Sequence, residues 1–173
     1  MHSLPSPDEC LHYLHLYGCS QAVINHCLAV CNLAVEIGRY ANANIALIEV
    51  GALLHDIGRG QTHGIRHAVT GAKIARELHL PTEIVNIIER HLGAGIPRDE
   101  AIALGLPEKD YLPVTLEEKI VTHADNLIED NEKVPISFEI QKAENKHQHT
   151  YAQRLRLLHD ELSQICGIDL DNL

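Results

Sequence analysis

Aromatic side chains are scarce in this chain of 173 residues, which has no tryptophan and one phenylalanine. Phenylalanine, tyrosine and tryptophan make up 3% of the residues, whereas hydrophobic residues as a whole make up 45%. The core must therefore be built from leucine, isoleucine, valine and alanine, which favours packed helices. The hydrophobic fraction also excludes a disordered chain.

Positive charge is scarce as well. Fourteen lysines and arginines stand against 24 aspartates and glutamates, so the net charge is −10 with neutral histidines. Because such a chain repels a long phosphate backbone, we expect no polymeric nucleic acid as a partner. A small phosphorylated substrate remains compatible with this charge if a metal ion supplies local positive charge.

Other signals are missing in ways that limit the cellular setting. We find no apolar run long enough to cross a bilayer and no basic segment followed by an apolar one at the N-terminus, so we expect a cytoplasmic protein without a membrane partner. The cysteines number five, and an odd number without a secretion signal argues against a disulfide framework. We interpret them as small buried apolar side chains.

No alternating strand of useful length and no linker is present, and nearly every segment has helical periodicity. We predict an all-α, single-domain helical bundle over residues 1–173, with a core at about 20–130 and a C-terminal helical extension at about 137–166. A homo-oligomer remains possible. Expected N-caps are Ser6, Ser20, Thr82, Thr115 and Ser137, with reciprocal capping boxes at Ser6 and Thr115, and the third helix is expected to run from Ile45 to Ile57.

The unusual feature that is present is histidine, of which there are 13. Several histidines and aspartates interrupt apolar runs on different predicted helices, and buried charges are costly unless they are paired or bound to metal. Helix bundles build metal sites from such inward-facing side chains. The candidate ligands are His26, His55, Asp56, His67, His91 and Asp125. His63 is an alternative to His67, and suitable ions are Fe, Mn, Ni, Co and Zn.

The order His26 … His55-Asp56 … Asp125 resembles the signature of the HD-domain metal-dependent phosphohydrolases. The segment His55-Asp56-Ile57-Gly58-Arg59 is similar to the family's extended HDIG form, and the chain looks closest to uncharacterised archaeal-type members. The resemblance covers about residues 20–130. It implies a first ion bound by His26, His55, Asp56 and Asp125. It also implies a second ion bound by Asp56, His67 and His91, with Asp56 bridging the two.

By the same resemblance, the expected activity is hydrolysis of a small phosphate ester, such as a nucleotide, dinucleotide or cyclic phosphate, by a metal-activated hydroxide. Asp56 and Arg59 are the expected catalytic residues, and Arg59, Arg66 and Lys73 are candidates for binding the phosphate. We expect Tyr40 or Tyr111 to offer a platform for a base, and the segment 93–113 to form a wall of the pocket. A non-catalytic metal-binding regulatory module and a di-iron oxygenase remain alternatives.

Overall fold

The structure, a computed structural model, describes residues 4–173, and these residues are mostly helical. The predicted all-α class is confirmed. The first three residues of the predicted domain span lie outside the described residues. The helices are α1 (Pro7–Leu16), α2 (Gln21–Tyr40), α3 (Ile45–Leu54), α4 (His67–Glu77), α5 (Thr82–Arg90), α6 (Arg98–Ala103), α7 (Leu116–Asn126), α8 (Ile136–Asn145) and α9 (His149–Cys166). Short 3-10 turns cover Ile57–Gly60 and Leu170–Asn172, and one hairpin pairs β1 (Ile128–Glu129) with β2 (Glu132–Lys133).

Three of the predicted helix N-caps are confirmed. The hydroxyls of Ser6, Ser20 and Thr115 each accept a hydrogen bond from a backbone N–H in the first turn of their helix. Ser6 also forms the predicted reciprocal box with Glu9. The box predicted at Thr115 is wrong, because the Glu118 carboxylate accepts from the backbone N–H of Val114 and from the guanidinium of Arg90.

The caps predicted at Thr82 and Ser137 are wrong by one or two positions. Prolines occupy the N-cap positions of both helices, Pro81 before α5 and Pro135 before α8. The carbonyl of Pro81 accepts the first helical hydrogen bond, from the N–H of Val85 at 3.1 Å. Thr82 and Ser137 therefore lie inside the first turn of their helices.

The third helix is shorter than predicted. It ends at Leu54, and the chain then passes through a turn at His55 and Asp56 into the 3-10 turn Ile57–Gly60. Close packing explains the glycines of this turn. A Cβ atom at Gly58 would lie 1.9 Å from the carbonyl oxygen of His67, and one at Gly60 would lie 2.1 Å from that of Tyr17. The turn is thus held between the start of α4 and the end of α1.

The sequence prediction missed the hairpin that follows α7. This helix ends at Asn126, not near Glu129, and the two residues of the hairpin turn, Asp130 and Asn131, have φ values of 47° and 67°. A two-residue hairpin turn of this kind needs left-handed residues, and Asp and Asn tolerate that conformation. The hairpin brings Ile128 and Glu129 to the side of the molecule where the candidate ligands lie.

Helix α9 packs in the main core. Ala152, Leu155 and Leu162 are fully buried, in a cluster of buried residues that extends from Cys10 to Leu170. A second, smaller cluster around Tyr111 lies under the segment that connects α5 to α7.

Among residues 4–173, one helix, α2, is long and apolar enough to cross a membrane by length and composition, which the sequence analysis did not anticipate. This is a weak indication, because the core helix of a soluble protein passes the same test. Cys27, Val30, Ala34 and Ile37 of α2 are fully buried in the core.

Candidate metal centre

The six side chains predicted to bind metal converge at one place between the helices. Ligand atoms of His26, His55 and Asp125 lie within 4.8 Å of one another, and those of His55, Asp56 and His91 do so as well. His67 joins the second group, because its Nε2 atom is 3.0 Å from Oδ1 of Asp56. Helices α2, α4 and α7, the turn after α3 and the residue that follows α5 each contribute at least one of these residues.

Backbone carbonyls set the orientation of three of the histidine rings. Nδ1 of His55, His67 and His91 lies 2.7 Å from the carbonyl oxygen three residues earlier in each case. A carbonyl only accepts hydrogen bonds, so each Nδ1 must carry a proton, and in the neutral ring the lone pair is then on Nε2. Fixing the tautomer in this way is the usual preparation of a histidine for metal binding.

The ligand atoms that take no part in these hydrogen bonds are arranged to bind a cation. Nε2 of His55 and Oδ1 of Asp56 are buried and have no hydrogen-bond partner among the described residues. Nε2 of His67 lies 2.9 Å from Nε2 of His91. With both protons on Nδ1, this contact brings two lone pairs together, which is unfavourable unless a positive charge lies beside them. The donor set of imidazole nitrogens and carboxylate oxygens suits a divalent transition metal.

The electrostatics of the group point the same way. Burial alone would lower the pKa of His55, but Asp56, the Cys27 thiol and Asp125 outweigh it and raise this pKa well above its ordinary value. Burial would raise the pKa of Asp56, yet the neighbouring histidines, His55 foremost, hold it well below the usual range. The carboxylates therefore stay ionised and favour positive charge at their centre.

Asp125 and Arg59 complete the surroundings of Asp56. Oδ1 of Asp125 lies 2.8 Å from Nε2 of His26 and 3.6 Å from Nε2 of His55. Arg59 donates from Nε to Oδ2 of Asp56 at 2.6 Å. Neither of the two glycines that flank Arg59 has a positive φ. Their place in the fold comes from close packing.

An open cavity of about 350 Å³ lies over this centre. Four predicted ligands, His26, His67, His91 and Asp125, line it together with Arg59. The sequence analysis missed several further lining residues, of which Lys142 and Tyr151 come from the C-terminal extension. Lys142 donates to Glu129 at 2.8 Å and lies 3.5 Å from Glu139, and both carboxylates also line the cavity.

The structure does not bring Arg66 or Lys73 to this cavity. Arg66 donates to the carbonyl of Gly105 at 2.7 Å, and Lys73 is exposed on α4 beside Glu77. His63, the alternative to His67, is exposed, whereas His67 is buried against Asp56.

His123 and the two tyrosines expected to bind a base also lie outside the centre. His123 faces away from it, with Nε2 located 2.9 Å from Nδ1 of His159. Burial, with His159 beside it, lowers the pKa of His123 to about 3. Neither expected base platform lines the cavity: Tyr111 is fully buried, and Tyr40 is exposed at the end of α2.

A protein-family model described as "HD domain" matches residues 23–130. The chain belongs to the HD-domain family. This confirms the resemblance drawn from the motif, and the match includes all six converging side chains of the HD domain.

Two relatives match most of this chain. An uncharacterised protein of Methanocaldococcus jannaschii is 49% identical over 154 residues, covering 85% of this chain and 91% of that protein. A protein of Picrophilus torridus named tRNA (cytidine(56)-2'-O)-methyltransferase is 44% identical over 170 residues, covering 98% of this chain. The chain spans 50% of the length of that relative.

Among solved structures, the HD domain of the L. monocytogenes phosphodiesterase PgpH, in complex with cyclic-di-AMP, has the same fold. Its TM-score is 0.58 at 20% identity, and the match covers 92% of this chain and 94% of that one.

Proposed function

We propose that this HD domain is a metal-dependent phosphohydrolase or phosphodiesterase that hydrolyses a small phosphate ester. The observation that carries the proposal is the set of Nε2 lone pairs that converges on Asp56. The buried atoms without partners, Nε2 of His55 and Oδ1 of Asp56, give those lone pairs a common centre. The ion or ions would be held by His26, His55, Asp56, His67, His91 and Asp125, with Asp56 between the two groups.

A bound divalent ion would supply a Lewis acid that polarises the phosphoryl group and lowers the pKa of a water molecule. The protein's own residues position the phosphate group of the substrate and neutralise its charge. Arg59 uses Nε to hold Asp56, and its Nη groups make no hydrogen bond to a described residue, so they are available for phosphoryl oxygens. Lys142 adds a second cation at the cavity wall, although it is shared with two glutamates.

Two relatives bear on the class of substrate. The structure of the PgpH HD domain holds a cyclic dinucleotide, which supports a small phosphate diester as a substrate here. The P. torridus relative is named for an action on tRNA, which leaves RNA open as a partner. We favour the small ester, because three carboxylates line the cavity and would oppose a polyanion, namely Asp125, Glu129 and Glu139.

A screen with defined metals tests the proposal. The protein is stripped of metal, reloaded with Mn, Fe, Co, Ni or Zn, and offered phosphomonoesters, cyclic phosphates, dinucleotides and short RNA oligonucleotides. We expect metal-dependent release of phosphate or of a monoester from one of the small substrates, and its loss in Asp56→Asn. Cleavage of the RNA alone would overturn the choice of a small ester.

The two alternatives would give different results in the same experiment. A regulatory module would bind metal and release no product from any ester. A di-iron oxygenase would require iron and oxygen, so its reaction would stop under argon, whereas ester hydrolysis would continue.

A further inference from the structure

Part of the wall of the metal cavity is built by residues outside the family match. The match ends at residue 130, whereas Glu139, Lys142 and Tyr151 lie on α8 and α9. Helix α9 is anchored by its buried leucines, so its first turn, which carries Tyr151, is held against the centre. The C-terminal extension therefore shapes the space in which a substrate would lie.

A second cavity of about 260 Å³ adjoins the first. The two cavities share Leu92, Gly93 and Tyr151 as lining residues. Beyond these, the second cavity is lined by the apolar side chains of Ile65, Ile96 and Leu104 and by the polar ones of Glu100, Gln148 and Arg154. Pockets that bind organic ligands have this character, mostly apolar with a few polar groups that fix orientation.

Tyr151 lies between the two cavities, and close packing against Gly93 holds its ring in place. A Cβ atom on Gly93 would lie 2.7 Å from Cε2 and 2.9 Å from the hydroxyl oxygen of Tyr151, so the edge of the ring rests directly on the glycine. Gly93 also has φ +57°, which a side chain would tolerate poorly. The hydroxyl lies 3.4 Å from Oε1 of Glu139.

The second cavity also offers a donor without a partner. Arg154 lines it and uses both Nη groups on the carboxylate of Glu100, at 2.8 and 2.7 Å. Its Nε atom is buried and makes no hydrogen bond among the described residues. This atom has almost no accessible surface, so an acceptor on a ligand reaches it only if the Arg154 side chain shifts, and pairing the costly unsatisfied donor would favour that shift.

We propose that this second cavity is the subsite for a heteroaromatic ring attached to the phosphate, such as a nucleobase, with Tyr151 and Arg154 as its specificity-determining residues. A flat ring fits the apolar walls and the Tyr151 side chain, and its ring nitrogen or carbonyl would accept from Arg154. The proposal rests on the proposed function only for the position of the phosphate, which would lie over the metal centre. It names the part of the substrate that the HD motif does not specify.

Binding of analogues that cannot be hydrolysed tests the subsite without relying on turnover. The ligands are nucleoside 5′-monophosphate analogues with a methylene group in place of the ester oxygen, carrying adenine, guanine, cytosine or uracil. The matching ribose analogue lacks the base. Calorimetry on the metal-loaded full chain should give a Kd about 5- to 150-fold lower for at least one base than for the base-free ligand, the range expected for stacking on an aromatic side chain.

Variants then assign this preference to residues. Tyr151→Phe should keep the preference for a base. Tyr151→Leu should remove most of this preference, while metal content and affinity for the base-free ligand stay at the parental level. Arg154→Lys keeps the charge opposite Glu100 but removes the Nε donor, so it should lose roughly 2- to 12-fold of the preference. Tyr40→Leu, an exposed tyrosine that lines neither cavity, is the matched control and should behave like the parent.

Equal affinity of the parent for the base-free ligand and for all four nucleotide analogues would overturn the proposal. So would a full preference in both Tyr151→Leu and Arg154→Lys. If Tyr151→Leu does not fold, the result with Arg154→Lys decides. Hydrolysis of esters without any preference for a ring would remove the subsite and leave the proposed function intact. A preference for a base that depends on Tyr151, without hydrolysis of any ester, would support the subsite and overturn the proposed function.

Discussion

Asp56 occupies the middle of the candidate site because its two oxygens face different partners. Oδ1 lies 3.0 Å from Nε2 of His67 and 3.5 Å from Nε2 of His91. Oδ2 accepts from Arg59 and lies 3.8 Å from Nε2 of His55. The bridging role that the family resemblance implied for Asp56 stays a prediction.

The first prediction concerns the ligands themselves. His55→Ala and Asp125→Ala should each weaken metal binding by more than about 100-fold, since the loss of even an outer-shell partner costs about 10- to 100-fold. Elemental analysis after dialysis measures the effect, and circular dichroism checks that the helices persist. His63→Ala removes an exposed histidine close in sequence and should keep its metal. Parental metal content in both ligand variants would show that the ion binds elsewhere.

Arg59 carries the second prediction. Arg59→Ala should lower kcat/KM for the identified ester by about one to three orders of magnitude, the scale for removing a donor to a developing oxyanion. Metal content should persist, because Asp56 Oδ1 keeps its position between His67 and His91. Arg59→Lys should recover only part of the activity, because lysine lacks the paired donors.

Lys73→Ala serves as the control for Arg59, because Lys73 is exposed on α4 and does not line the cavity. An Arg59→Ala enzyme with parental kcat/KM at saturating metal would assign charge neutralisation to the metal and Lys142.

The cysteines carry the third prediction. All five are free, as expected from their odd number, and four of them are buried. Burial raises the pKa of Cys10 to about 12 and those of Cys19 and Cys31 to about 11. Because only the thiolate reacts, and these thiols stay protonated at pH 8, a disulfide reagent should label the native protein slowly.

Cys166, which is partly exposed, should react first, and unfolding in guanidinium should release all five thiols at the rate of free cysteine. Rapid labelling of four or more thiols in the native protein would contradict the buried assignment.

At the level of elements, periodicity and capping residues predicted most of the helices. The errors fall where contacts distant in sequence decide the local structure. The chain leaves the helix after Leu54 because the turn at Gly58 must pass beside the His67 carbonyl, which no local pattern shows. The hairpin could have been recognised from Asp130-Asn131, a pair that accepts left-handed φ values.

The fourth prediction uses the close contact at Gly58. In Gly58→Ala the new methyl group would meet backbone, at 1.9 Å from the His67 oxygen. The start of α4 must then move, and His67 with it. We expect a loss of stability at or above about 3 kcal/mol, the upper end for overpacking, together with weaker metal binding.

Gly51→Ala is the matched comparison, because its methyl group would meet only side-chain atoms of Ile87, the nearest at 2.7 Å. Ile87 can shift its rotamer, so the loss in thermal unfolding should be smaller. If the two variants melt together and both keep metal, the contact at Gly58 does not position His67.

For the whole molecule, the sequence predicted which side chains would meet but not what would cover them. The ligands interrupt apolar runs, and that pattern is visible in the chain. Tyr151 carries no such mark, because it lies at the site through packing against Gly93, 58 positions earlier in the numbering. Its role depends on how α9 packs across the domain, which periodicity within α9 cannot specify.

The last prediction tests whether the C-terminal extension belongs to the same folding unit as the HD core, as the predicted single domain of residues 1–173 requires. Removing residues 138–173 should expose the apolar surface that α9 covers and reduce solubility.

Point variants on α9 separate the effect of lost packing from the effect of a shorter chain. Leu155 is fully buried and Leu157 is 59% exposed. Leu155→Ala should lower the free energy of unfolding by about 2–5 kcal/mol, whereas Leu157→Ala should change it by no more than about 0.5 kcal/mol.

Denaturant unfolding followed by circular dichroism, with metal content measured in parallel, distinguishes one unit from two. In one unit, Leu155→Ala shifts a single transition, and the metal is released in that transition, because the core and the extension unfold together. In two units, the variant creates an early transition that leaves the metal bound to the remaining helices. A soluble truncated protein with parental activity would make the extension an accessory and would also remove Tyr151 from substrate binding.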